Sequence, residues 1–288
     1  MNRTCVLLCL CLLAAVPATA SASEKTAAPA RPYVETSYVI APRSVGDFTL
    51  VRSSLDPDNR LAGASLLYRA KDHPEATINL YIYAAGRLDP DTAVIEGMQA
   101  FGEGMKHAVK DGTYSRQQTL GPADAFRLTP APPPAAANDE EAVMRDAIAN
   151  AGGVNGQKLR MELHRAPGDA PLRSNAYLFY KQLYYVKVRI SAAQPDIGAE
   201  AFDALADQAT RALVPAVQVE NVGGCAAGAI QVDSNASDTQ MMHAIARQLS
   251  QQQGYHCHVS ASTVPIEERR ATADVIEIAY DADDWKSQ

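Results

Sequence analysis

Five cysteines and six histidines hold most of the reactive chemistry of this chain. Cys5, Cys9 and Cys11 crowd into the leading segment, which leaves Cys225 and Cys257 as the only two thereafter. Two such cysteines in an oxidising compartment are expected to pair. The bond would stabilise by roughly 3–4 kcal/mol on a chain-entropy argument. No Cys-x-x-Cys is present, so redox catalysis is not expected. His256 and His258 flank Cys257, and with His243 they form the alternative reading, a zinc or copper site. On a strand, however, the two histidines share one face and Cys257 takes the other. Oxidised cysteines also cannot serve as thiolate ligands. The disulfide is therefore the expectation, and no metal or other cofactor is assigned.

The familiar nucleophile contexts are missing: there is no Gly-x-Ser-x-Gly, Ser-x-x-Lys or His-Glu-x-x-His. His73, His107 and His164 stand apart from one another and read as surface or packing residues. Gly223-Gly224-Cys225-Ala226-Ala227-Gly228 lacks the lysine and hydroxyl of a phosphate loop. Asp281, Asp283 and Asp284 lack the spacing of a known calcium loop and read as part of a loose acidic tail. Aromatic residues give a different signal. Tyr81, Tyr83, Tyr177, Tyr180, Tyr184 and Tyr185 concentrate on two stretches with strand periodicity. Sheet packing accounts for much of this. The sharper reading is a contact face of Tyr81, Tyr83, Tyr185, Lys187 and Arg189, since tyrosine joins apolar area to a hydrogen-bonding tip.

Those residues need a sheet to place them. Over 77–83, Ile78, Leu80 and Ile82 alternate with Asn79, Tyr81 and Tyr83, the period of a half-buried strand. Over 183–190, Tyr184, Val186, Val188 and Ile190 take one side, with Tyr185, Lys187 and Arg189 on the other. Further strands are expected over 37–40, 47–52, 64–68, 116–129, 159–164 and 175–180, with a turn near Lys181-Gln182. A helix starts at Asp89-Pro90-Asp91, a cap followed by a first-turn proline. It carries one apolar stripe of Val94, Met98, Phe101, Met105 and Ala108. Gly97, Gly102 and Gly104 weaken it by about 1 kcal/mol each, so packing on the sheet must hold it. A second amphipathic helix spans 197–214 and stops at Pro215.

Strands, helix, strands, helix give an α+β layer fold, an antiparallel sheet with its helices on one face. The main domain is expected over 38–219, with a proline-rich insertion over 130–157 that carries a short helix. A small C-terminal β-α-β-β subdomain follows over 223–282, its first strand at 225–232.

The leading segment sets the compartment. Arg3, the apolar run 6–16, Pro17 and the small triplet Ala18-Thr19-Ala20 make residues 1–22 a cleavable signal peptide, too short to span a bilayer. A polar, proline-bearing leader over 23–37 follows. The chain is therefore expected in the periplasm or secreted, with no membrane insertion after cleavage. Its formal net charge is −7, and losing Arg3 makes it one unit more negative. An acidic chain without a basic block is not expected to bind nucleic acid.

From Tyr38 to about Val219 the chain resembles the exported PsbP-like α+β fold. The resemblance rests on the Tyr38-Val39-Ile40-Ala41-Pro42 opening, the 77–83 strand before the Asp89-Pro90 helix start, and the 177–190 hairpin before the last helix. It implies a non-enzymatic accessory, chaperone-like or binding role. The expected function is thus an exported binding protein whose partner is another protein or a small molecule. One version is an envelope immunity protein that masks a basic partner. The rival is a hydrolase whose site has no recognisable spacing.

Overall fold

The computed structural model describes residues 31–129, 153–227, 230, 232–233 and 237–285. The expected signal peptide, most of the leader, and the proline run and short helix of the insertion lie outside the described residues. From Arg31 onward the chain forms one compact unit.

Its class is α+β, built on two sheets. The larger contains β2 (Ser44–Val45), β3 (Phe48–Leu55), β4 (Ala64–Ala70), β5 (Thr77–Ala84), β6 (Tyr114–Thr119), β7 (Asp124–Leu128), β8 (Val154–Arg165), β9 (Ala170–Lys181) and β10 (Tyr184–Ala193). Its order is β2-β3-β4-β5-β10-β9-β8-β6, with β7 also paired to β8, and every pairing is antiparallel. The smaller sheet has the order β12-β11-β1-β13, from β1 (Thr36–Pro42), β11 (Gln218–Val222), β12 (Cys257–His258) and β13 (Ala273–Ala279).

The alternation in the strands decides what packs where. Ile78, Leu80, Ile82, Tyr184, Val186, Val188 and Ile190 turn to one face of the large sheet. There they meet Val39, Ala41, Val219 and Ile278 of the small sheet, and Phe202, Leu205, Ala209 and Leu213 of α2 (Ala199–Ala216). On the opposite face Met98 and Met105 of α1 (Pro90–Lys110) pack on Leu159, Met161, Leu163 and Leu178. α1 and α2 therefore lie on opposite faces of the large sheet, not on one as the element order suggested. Both have apolar stripes, and the strands between them are apolar on both faces, so each face needs its own cover.

The ends of the chain also depart from expectation. Residues 31–37 are not loose: Val34 is fully buried, Thr36 and Ser37 belong to β1, and the Gly224 and Cys225 amides donate to the Pro32 and Tyr33 carbonyls at 2.9 and 2.8 Å. Nor is the C-terminal segment a separate subdomain. β1 sits between β11 and β13, so both chain ends share one sheet. The strand before the glycine pair is 218–222, and Gly224–Ala227 forms a 3-10 turn where a strand was expected. After it come α3 (Asp238–Gly254) and α4 (Ile266–Arg270). The acidic tail is anchored as well: Trp285 is buried against Tyr184 and Tyr280, and Arg60 pairs with both Asp281 and Asp284. Both carboxylates thus take part in an ion pair that ties the tail to Arg60.

Cys225 and Cys257 are bonded as a disulfide, with Cα atoms 5.9 Å apart. The short parallel pairing of β12 with β11 places Asn221 opposite Cys257 and brings the turn carrying Cys225 alongside. No helix among the described residues is long and apolar enough to cross a membrane.

Candidate functional site

α1 covers the β6, β8 and β9 side of its face and leaves a groove where the sheet continues toward β5. Why the helix lies there is visible at Gly97. A Cβ at that position would stand 2.6 Å from Leu178 and 2.9 Å from Tyr185. The bare backbone lets the helix settle onto the sheet, and the Tyr185 hydroxyl then donates to the Ala93 carbonyl at 3.0 Å. Asp89 fixes the start of the helix by accepting from the Thr92 amide at 3.1 Å.

The groove holds about 580 Å³ and is lined by Tyr83, Gly97, Phe101, Met105, Tyr185 and Lys187, with Glu96 and Arg189 at its limits. Antiparallel register builds its floor: Tyr185 lies opposite Tyr83, and Lys187 opposite Tyr81. The Lys187 ammonium sits 4.7 Å from the Tyr81 ring centroid, 5.5 Å from that of Tyr83 and 5.4 Å from that of Phe101. Such a cation over ring faces gains about 0.5–2 kcal/mol per favourable contact. Burial, and then the neighbouring Arg189, hold the lysine's pKa below its ordinary value. Burial pushes the Tyr83 phenol up to about 12. The Arg189 guanidinium stacks 5.3 Å from the Tyr114 ring, and donates to the Tyr114 hydroxyl at 2.5 Å and the Ser174 hydroxyl at 3.3 Å.

All five residues of the expected contact face, Tyr81, Tyr83, Tyr185, Lys187 and Arg189, thus fall on one side of β5 and β10, and the structure adds Phe101 and Tyr114. Phe101 read as core from its helical stripe, and Tyr114 carried no signal beyond its type. The other tyrosines go elsewhere. Tyr177 and Tyr184 are fully buried on the opposite face, the former donating to Asp207 at 2.5 Å. Tyr180 is buried on the α1 side, donating to the Gly86 carbonyl at 2.7 Å.

A second cavity of about 510 Å³, which sequence reasoning missed, lies at the β9–β10 turn and is lined by Tyr180, Lys181, Gln182, Tyr255 and His256 among others. The turn residues Gln182 and Leu183 have φ of 55° and 71°, the left-handed pair that a two-residue hairpin of this twist demands. Lys181 donates to the Val214 and Val217 carbonyls at 3.0 and 2.8 Å, satisfying the C-terminal end of α2. Burial lowers its pKa to about 8, against a smaller opposing pull from Glu220. The Gln182 amide meets Gln218, the Val219 amide and His256. Glu220 bonds both His256, at 3.3 Å, and His258, at 2.8 Å. Burial alone would raise this carboxyl, but the two histidine bonds outweigh it and hold it below its usual range.

His256 and His258 therefore share one glutamate, and no group of three metal-ligating residues occurs among the described residues. His243 lies on α3, outside the described side chains. Of the surface and packing alternatives, His164 takes the packed one: it is buried, 2.6 Å from Arg116 and 3.2 Å from Glu162. On the far face, the buried Lys158 ammonium pairs with Asp203 at 2.8 Å and Asp207 at 2.6 Å, tying β8 to α2. Compared with known proteins, the chain matches no family model and no curated sequence.

Proposed function

We propose that this is an exported binding or accessory protein, periplasmic or secreted, and that its site is the groove between α1 and the open part of the large sheet. The observation that carries this reading is the convergence on one groove of two tyrosines, a phenylalanine and two cations from β5, β10 and α1. The groove volume falls in the range of small-molecule sites, which favours a small ligand over a broad protein footprint. The disulfide supports an oxidising compartment, and the PsbP-like resemblance of 38–219 points to the same accessory role.

The hydrolase reading draws on the second cavity, which has convergent polar groups and a lysine of lowered pKa. We rank it second because no serine, threonine or cysteine lines that cavity among the described residues. Its polar groups are also already bonded to one another. An immunity protein masking a basic partner suits the acidic chain as a whole, but the groove floor itself is cationic.

The test compares the protein with Gly104→Phe. Gly104 lines the groove, and a Cβ there meets no atom within 4 Å, so the backbone accepts a side chain whose ring then obstructs the site. Native mass spectrometry of protein purified from the envelope should find a retained small molecule on the wild type and none on the variant. Equal retention on both would remove the groove from consideration.

A further inference from the structure

Lys187 and Arg189 are two residues apart on β10 and point to the same side of the sheet, where like charges repel. Neither makes an ion pair among the described residues. Among the described residues, the cation–ring contacts of Lys187 are to three aromatic rings, and Arg189 stacks on the Tyr114 ring and donates to the Tyr114 and Ser174 hydroxyls. This contrasts with Lys158 on the opposite face, which has two aspartates for company. Ring faces attract a cation but accept little from its N–H bonds, and none of the three Lys187 donors meets an acceptor among the described residues. Half-buried cations are ordinarily paired, because desolvation is costly without a counter-charge. The carboxylate lining the groove is Glu96, exposed and, among the described residues, in no ion pair with either cation.

We propose that the groove takes a small organic carboxylate with an apolar body, its anionic end on Lys187 and Arg189 and its body along Tyr83, Phe101, Met105 and Tyr185. This rests on the reading of the groove as the binding site and names the ligand class. The supply of donors decides the head group: an ammonium and a neighbouring guanidinium match a carboxylate, whose two oxygens accept from both. The walls decide the rest, since a free inorganic anion would leave the aromatic and methionine side chains unused. A dianion fits less well, because Glu96 would oppose its second charge.

The probes are 4-phenylbutanoate and 4-phenylbutan-1-ol, which share a body and differ in charge, titrated calorimetrically into the full-length mature protein. The acid should bind roughly ten- to a hundredfold more tightly than the alcohol, the worth of a charge-assisted contact in a partly desolvated site. Lys187→Met keeps the apolar stem and removes the charge. It should erase that preference while leaving the affinity for the alcohol within about threefold. Glu96→Gln lies on the exposed helix surface and should not disturb folding. It should tighten the acid by roughly two- to fivefold and leave the alcohol unchanged. If acid and alcohol bind equally to the wild type, the carboxylate assignment is wrong and the groove reading stands. If neither binds, both fall.

Discussion

At Gly97 a single missing methyl group sets how closely α1 approaches the sheet, and so the width of the groove. Gly97→Ala forces Leu178 and Tyr185 to give way, and overpacking of this kind costs about 1–3 kcal/mol. Gly102→Ala has open space around it and should instead gain up to about 1 kcal/mol from helix propensity. Chemical denaturation of both variants checks the pair, and a loss of equal size in each would show that the helix is not held by this approach. Lys181 offers a test by pH. Its folded pKa of about 8 lies below its ordinary 10.5, so between those values the unfolded chain binds more protons than the folded one. Its contribution to stability must therefore rise with pH across that window and is least favourable below it. From about pH 7 to about pH 9.5 the wild type should gain on Lys181→Met by on the order of 2 kcal/mol. Parallel thermal melts of the two proteins read the difference, and a constant gap would contradict the burial assigned to this amine. From sequence, type and parity placed Tyr81, Tyr83, Tyr185, Lys187 and Arg189 together, because alternation is a local property of a strand. Phe101 and Tyr114 were not legible, since which element approaches which is decided by packing between segments far apart in the chain.

At the scale of elements, the period-two and helical stripes located most strands and both long helices, and the Asp89 cap marks the start of α1 as its residue types require. What the stripes could not show is which face each helix covers. β9 is apolar on both faces, with Tyr177 and Phe179 on one and Ala176 and Leu178 on the other. A strand of that composition accepts a helix on either side. The C-terminal β-α-β-β reading also failed at its first strand. Gly223 has no room for a side chain, because a Cβ there would meet the Tyr33 carbonyl at 2.6 Å, so the chain turns here and the ladder runs through 218–222. The disulfide follows from that turn. Thiol titration of the denatured, unreduced protein should find no free sulfhydryl in the mature chain. Cys225→Ser should lower stability by roughly 3–4 kcal/mol, as expected for a link between residues 32 apart. Two titratable thiols in the wild type would contradict the pairing.

Over the whole molecule, β1 is the element on which both ends of the chain depend. It pairs along its length with β13, and with β11 over 36–40. Ending the chain before Ala273 would strip β1 of one neighbour and remove the buried Ile278 and Tyr280, uncovering the core they pack on, Tyr184 included. Such a truncation should not yield a cooperative melt, whereas a separable C-terminal subdomain would leave the remainder folded. Long-range closure of this kind leaves no mark on local periodicity, which is why 38–219 and 223–282 read as two units from sequence and form one compact unit in the structure. The acidic net charge likewise hides a cationic groove, because two residues on β10 decide the local field.

Intermolecular NOEs from 4-phenylbutanoate to assigned aromatic rings report the location of the site directly. The predicted result is a set of cross-peaks to Tyr83, Phe101 and Tyr185. Cross-peaks to Tyr180 and Tyr255 without these would place the ligand in the β9–β10 turn cavity and contradict the account.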